Sequence, residues 1–187
     1  MIIVGITGTL GAGKGTVVEY LKEQRGFKHF SVRDFIVDEI KKRKLPVNRD
    51  NMVEVANGLR AHNSPSFIVD ELYKEALKTG KNSIIESIRT FGEIESLRKK
   101  GNFTLLAVDA DRQLRYQRIK ERASETDRIS YEKFKEDETR EMNATDPNKQ
   151  NLQRCIEEAD YLITNNKSFN DLYSQIDKII NQLANSK

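Results

Sequence analysis

A chain of 187 residues is long enough for one domain with a sizeable core. Charged residues make up 33% of it, yet 32 Lys plus Arg against 29 Asp plus Glu leave a net charge of only +3, which excludes the concentrated basic footprint of a nucleic-acid-binding protein. Two histidines are too few for a His-based metal site, one cysteine excludes an intrachain disulfide, and no apolar run approaches a membrane span, so a soluble cytoplasmic protein is expected.

In chain order, an apolar run predicts a strand over 2–7 that delivers the chain to Gly8-Thr9-Leu10-Gly11-Ala12-Gly13-Lys14-Gly15-Thr16. A helix follows from about Gly13, with Val17, Val18 and Leu21 on its apolar face. A short strand is expected over 27–31. Residues 34–80 then hold about three helices with no strand between them, one with Ser64 as N-cap, Pro65 at its first position and Gly80 closing it. Further strands are expected over 83–86, 104–109 and 161–164. Residues 122–151 are dominated by charge, and Cys155 is expected to pack in a short helix. The end of the chain, from 169 to about 183, carries Leu172, Ile176, Ile179, Ile180 and Leu183 at helical spacing. Strands alternating with helices, and continuous runs such as Leu105-Leu106-Ala107-Val108, predict an α/β domain around a five-stranded parallel sheet. The charged stretch reads either as a solvated helix laced with i,i+4 pairs or as a mobile lid that brings arginines over phosphates.

The loop at 8–16 is a GxxxxGK phosphate loop in its mechanistic setting, between a strand and a helix. Its backbone N–H groups and the helix N-terminus would cradle a nucleoside triphosphate, and the Lys14 ammonium would reach the outer phosphates. Phosphoryl transfer otherwise needs cations and metal-ordering carboxylates, and these should stand at the carboxyl ends of neighbouring strands. Glu86, after the buried run Ile84-Ile85, could order metal-bound water, and Arg89 lies three residues on. Asp34, after Ser31-Val32-Arg33, could activate an acceptor or hold metal-bound water; Ser31 and Asp34 also make a capping box. Asp109-Ala110-Asp111 precedes Arg115, Arg118 and Arg122, of which the last two share a helix face. These charges read equally as a solvated face.

GTLGAGKGT resembles the GxPGxGKGT loop of the nucleoside monophosphate kinases, adenylate kinase in particular, including Gly15 where most phosphate loops carry Ser or Thr. The resemblance covers most of the chain and implies a three-layer P-loop kinase fold with a helical acceptor-binding insertion (34–80) and a short lid (122–151). It implies ATP and Mg²⁺ as cofactors, with the metal held by phosphates, by Thr16, and through water by Glu86. Glu86-Ser87-Ile88-Arg89-Thr90 takes the place of the family's Asp-Gly-Phe-Pro-Arg-Thr, making Arg89 a ligand of the acceptor phosphate. Arg118 and Arg122 are similar to the paired arginines at the lid hinge, one against the donor base and one on its phosphates; Arg128 and Arg140 would be lid arginines. Asp34 fits the Thr-Gly-Asp element, but Val37 replaces the arginine three residues on, for which Arg33 or Arg60 could substitute. Glu93 stands where adenylate kinase has a Gln that reads the acceptor adenine, and it also forms a capping box with Thr90. Leu59-Arg60 before Ser64-Pro65, and 159–165, look closer to the adenylate-kinase-like ATPases related to dephospho-CoA kinase and to kinase-like domains of some deoxycytidylate deaminases.

These implications converge on transfer of the γ-phosphoryl of MgATP to a (deoxy)nucleoside monophosphate. Lys14, Arg89, Arg122, Arg128 and Asp34 would carry the reaction. The expected partners are small-molecule nucleotides, with no nucleic acid and no membrane, in a monomer or homodimer. Two alternatives stand: a dephospho-CoA kinase using Asp34 as base on a ribose hydroxyl, and a nucleotide-dependent ATPase switch or assembly factor.

Overall fold

In a computed structural model that describes residues 1–122, 129–146 and 148–185, the first strand, β1 (Ile3–Gly8), is buried along its whole length. It occupies the centre of a parallel sheet of order β2-β3-β1-β4-β5, the others being β2 (Lys28–Ser31), β3 (Ser83–Glu86), β4 (Phe103–Asp109) and β5 (Tyr161–Thr164). The strands expected from sequence all form, with ends shifted by no more than a residue.

Alternation along β1 sends its side chains to opposite faces, and each face meets its own layer. Val4 and Ile6 pack with Val17, Val18 and Leu21 of α1 (Lys14–Arg25) and Leu172 and Ile176 of α9 (Phe169–Asn185). Ile3 packs on the other face with α2 (Val32–Lys42), α3 (Arg49–His62), α4 (Phe67–Thr79), α5 (Phe91–Lys99) and Cys155 of α8 (Leu152–Glu157). The result is a three-layer α/β sandwich. Each fully buried Ile or Leu contributes roughly 1.5–3 kcal/mol of transfer free energy to it.

Register sets the site. Ser31 and Ile6 both stand opposite Glu86, Gly8 stands opposite Val108, and Asp109 opposite Thr164, so all five strands run out at one edge. Strand order diverges there, because β3 and β4 flank β1 on opposite sides, and ligands in such sheets bind in that crevice.

Residues 34–80 are occupied by α2, α3 and α4 with no strand between them, and Gly80 closes α4 in the left-handed conformation (φ 62°). The start of α4 differs from expectation. Ser66, not Ser64, is its N-cap, and Ser64-Pro65 forms the preceding turn, with Phe67 N–H donating to the Ser64 carbonyl at 3.1 Å. Pro65 is committed to packing instead: it lies against Gly92, where an added Cβ would fall 2.8 Å from Pro65 Cβ.

The charged stretch contains α7 (Tyr131–Met142), which fits neither expectation fully. Lys133 and Arg140 reach inward from its exposed side to the buried Asp137, at 3.2 and 3.0 Å. Its inner side buries Phe134, Asp137 and Glu141 against the rest of the fold. Arg128 lies outside the described residues.

Candidate functional site

A cavity of about 880 Å³ opens at the strand edge, walled by the loop after β1, the first turns of the helical insertion, α6 (Arg112–Arg122) and the end of α7. Leu10, Gly11, Gly13, Lys14, Gly15 and Thr16 of the loop line it. Gly13 caps α1 at φ 99°, a conformation that L side chains rarely adopt. A Cβ there would meet Asn165 Nδ2 at 2.2 Å, and that same nitrogen donates to the Ala12 carbonyl at 2.9 Å. Asn165, at the end of β5, therefore holds the loop where only glycine fits. Gly8 ends β1, the Ala12 N–H donates to the Thr9 carbonyl at 3.3 Å to close the turn, and the Thr9 hydroxyl donates to Asp109 at 2.6 Å, anchoring the loop to β4.

Lys14 Nζ donates to the Gly8 and Thr9 carbonyls at 2.9 and 2.8 Å, folding the side chain back over its own loop. Burial, then the charge of Arg89, lowers its pKa from the ordinary lysine value to about 7, against the opposing charges of Glu86 and Glu141. A triphosphate would replace the two carbonyl contacts with anionic ones and restore the ammonium.

On the α6 side, Arg118, Arg122, Asn165, Lys167 and Phe169 line the same cavity. Arg118 Nη2 donates to the Asn165 carbonyl at 2.9 Å, which orients the guanidinium toward the loop following β5. Arg115, counted in sequence with the other two, has a different role. It is buried, donates to the Ala110 and Leu10 carbonyls at 2.8 and 3.2 Å, and pairs with Glu138 of α7 at 2.5 Å. It clips the loop and α7 together.

After β3 the chain turns through Ser87 at φ 70°, an uncommon conformation for a residue with a side chain. The turn lays Ile88 across β1, with its N–H donating to the Ile6 carbonyl at 3.1 Å and its carbonyl accepting from the Thr7 hydroxyl at 2.7 Å. Arg89 thereby enters the cavity, where Nη1 donates to Glu141 and Gln150, both at 2.7 Å. Arg49 of α3 reaches the other Glu141 oxygen and approaches Asp137 at 3.3 Å. Burial alone would raise the Glu141 pKa, but the charges of Arg89 and Arg49 outweigh it and hold the carboxyl below the usual range. Two arginines from separate elements thus converge on one buried carboxylate.

Glu86 lines the cavity, 3.0 Å from His29 Nε2. Burial raises its pKa, and the His29 hydrogen bond together with Lys14 more than offsets this, so it stays ionised. Thr16 also faces the cavity. No group of three His, Cys, Asp or Glu side chains suited to a metal ion occurs among the described residues.

Two sequence candidates are placed elsewhere. Asp34 is exposed on the first turn of α2, its N–H capped by Ser31 at 3.1 Å, and it is absent from the cavity lining. The helix start that places Arg33 in the cavity turns Asp34 outward. Glu93 is buried and fully used. One oxygen accepts from Arg89 N–H and Thr90 N–H at 2.8 and 3.0 Å, completing the expected capping box, and the other accepts from Arg60 Nε and Nη2 at 3.1 and 2.8 Å. Cys155 is buried, with burial and the Glu93 charge pushing its thiol up to about 12, as an inert packing residue requires.

Sequence reading missed Arg49, Glu141 and Gln150. The legible signal was the spacing of Phe134, Asp137, Glu138 and Glu141 at i, i+3, i+4 and i+7, a core-facing stripe written partly in acids.

Comparison with known proteins agrees with this architecture. The family model for an AAA domain matches residues 4–146. The UPF0200 protein of Methanocaldococcus jannaschii is 31% identical over 189 residues, spanning 100% of this chain and 92% of the relative. Shikimate kinase from Acinetobacter baumannii has a similar structure (TM-score 0.59, 18% identity), covering 100% of this chain and 95% of that one. Dephospho-CoA kinase from Campylobacter jejuni does too (TM-score 0.57, 17% identity, 98% of each chain). The fold is the α/β P-loop kinase fold. The chain belongs to the AAA-domain family and to the UPF0200 proteins.

Proposed function

We propose that this chain is an ATP-dependent phosphotransferase that moves the γ-phosphoryl group of MgATP to the phosphate of a (deoxy)nucleoside monophosphate. One observation carries the reading: Arg89 and Arg49 converge on a single carboxylate inside the cavity that also holds Lys14. That is a second anion seat beside the phosphate loop, and an acceptor phosphate displacing Glu141 would find both guanidiniums already in place.

In this scheme the amides of the loop and the N-terminus of α1 neutralise the β- and γ-oxygens, joined by Lys14 as it leaves the Gly8 and Thr9 carbonyls. Arg118 lies against the donor base and Arg122 on its phosphates, with Arg128 assigned to close over the transferring group. Glu86 and Thr16 offer the hard oxygens that suit Mg²⁺, and with no cluster of three protein ligands among the described residues most ligands would come from nucleotide and water. When bound, the ion would supply neutralisation of the charge on the phosphates. An acceptor phosphate is already ionised and needs no base, which agrees with the exposed position of Asp34 outside the cavity. A dephospho-CoA kinase would need that carboxylate at the ribose hydroxyl.

The test is ADP release from MgATP with each nucleoside monophosphate, each deoxy form, and dephospho-CoA as acceptor. Strong stimulation by one or a few monophosphates is expected. Stimulation by dephospho-CoA alone overturns the acceptor assignment, and hydrolysis indifferent to all acceptors favours a switch.

A further inference from the structure

One stripe of α3 faces the cavity along its length: Arg49, then Met52, Val53 and Ala56, then Arg60. Their offsets of three, four, seven and eleven place them on a single side of the helix, with about 16 Å of axis between the two arginines. Val32 and Ile36 of α2 extend the apolar part. The wall thus reads cation, apolar middle, cation.

The two ends are not equivalent. At the first end Arg49 and Arg89 share Glu141, and Asp137, the other carboxylate near Arg49, is also held by Lys133 and Arg140, so four cations gather on two buried carboxylates, an arrangement suited to an anion. Arg60 is 1% exposed and paired one-to-one with Glu93, so the second end is electrically balanced. Nε and Nη2 of Arg60 both donate to one Glu93 oxygen, while the other oxygen is tied to the backbone of Arg89 and Thr90. The guanidinium plane is therefore fixed. Its remaining nitrogen, Nη1, is buried and has no hydrogen-bond partner. An unpaired buried donor on a charged group is costly and rare in a finished core, and a ligand atom that completes it relieves that cost.

Resting on the monophosphate-kinase reading, we infer that Arg60 selects the acceptor base, and that the substrate class is nucleoside monophosphates whose base turns a carbonyl oxygen toward this wall. A carbonyl oxygen accepts from Nη1 without adding charge to a neutral pair. An exocyclic amino group at the same point brings N–H against N–H and leaves Nη1 unpaired. The apolar stripe between the arginines covers the face of the ring, and Arg49 with Arg89 takes the phosphate. Selection by a buried donor that only one partner satisfies is the kind that gives large discrimination.

The experiment compares ligands that differ at this group: inosine against adenosine monophosphate, and uridine against cytidine monophosphate. Dissociation constants are measured by calorimetry on the whole protein, with and without MgATP. The oxo member of at least one pair should bind tenfold or more tightly than its amino partner. Arg60→Met alone strands the Glu93 charge and endangers folding. The double variant Arg60→Met/Glu93→Gln removes both charges while Gln keeps the cap, and it should fold, bind monophosphates and lose the oxo preference. Equal affinities in both pairs, a preference for the amino member, or a preference that survives the double variant would overturn the assignment. Absence of monophosphate binding with MgATP binding intact would fell the parent reading as well, and is thereby distinguished.

Discussion

Arg89 of the β3–α5 turn donates to Glu141 of α7 across 2.7 Å, and Glu141 is buried with Arg49 on its other oxygen. The arginine that the family resemblance assigns to the acceptor phosphate is thus already holding an anion from its own chain. The charged stretch that read as lid or solvated helix supplies that anion, so in the proposed reaction α7 and the acceptor would compete for the same two guanidiniums.

Glu141→Gln tests this competition. The amide keeps the shape but not the charge, so stability should fall by about 1.5–3 kcal/mol, the scale of a hydrogen bond to a charged group. Acceptor KM should fall severalfold, because the phosphate no longer displaces a carboxylate, whereas Arg49→Ala should raise it tenfold or more with nucleotide triphosphate affinity little changed. An acceptor KM that rises in Glu141→Gln would show that the carboxylate positions the arginines and does not compete for them.

Lys14 gives a pH signature. Its folded pKa of about 7 lies below the ordinary 10.5, so between these values the unfolded chain binds more protons. The ligand-free protein should therefore gain stability from this group as pH rises from about 7 toward 10.5. Triphosphate binding restores the ammonium, so above pH 7 it should take up a proton and weaken with rising pH, approaching tenfold per unit from this group. Calorimetry in buffers of different ionisation enthalpy reads the uptake directly, and Lys14→Met should abolish it. The depressed pKa values of Glu141 and Glu86 give the same sign of pH dependence in a lower window: their stabilisation is complete above about 4.5 and is lost in more acidic solution.

Gly13→Ala should strain the loop twice, through φ 99° and through the 2.2 Å approach to Asn165 Nδ2. A left-handed alanine alone costs roughly 1–2 kcal/mol. Thermal unfolding should shift down, and triphosphate affinity should fall by more than tenfold because the amides no longer converge. Adding Asn165→Ala should recover the clash component of stability but not the affinity. Full recovery of both would mean that the backbone conformation of the loop is unimportant.

Much of this was legible because it is local. The loop, the five strands, the Gly80 cap and the Thr90–Glu93 capping box are each written within a few consecutive residues. What was not legible depends on pairing across the fold. Arg49 and Glu141 are 92 positions apart, and nothing near either one in sequence marks the other as its partner. Asp34 shows the converse limit: a strand-end acid has the right type and place in the chain, but the first turn of α2 turns it to solvent. Glu93 stands where the resemblance to adenylate kinase implies a base-reading residue, yet Arg60, 33 positions away, claims it.

The central claim is transfer between two anions held in one cavity, and following the γ-phosphoryl group tests it most directly. The protein would be incubated with Mg²⁺ and γ-labelled ATP beside a panel of nucleoside monophosphates, and the products separated. The label should appear in a nucleoside diphosphate, and Arg89→Ala should reduce that product by a hundredfold or so, as loss of one charge-stabilising donor does elsewhere. Label recovered only as inorganic phosphate with every acceptor, and at the same rate in Arg89→Ala, would contradict it.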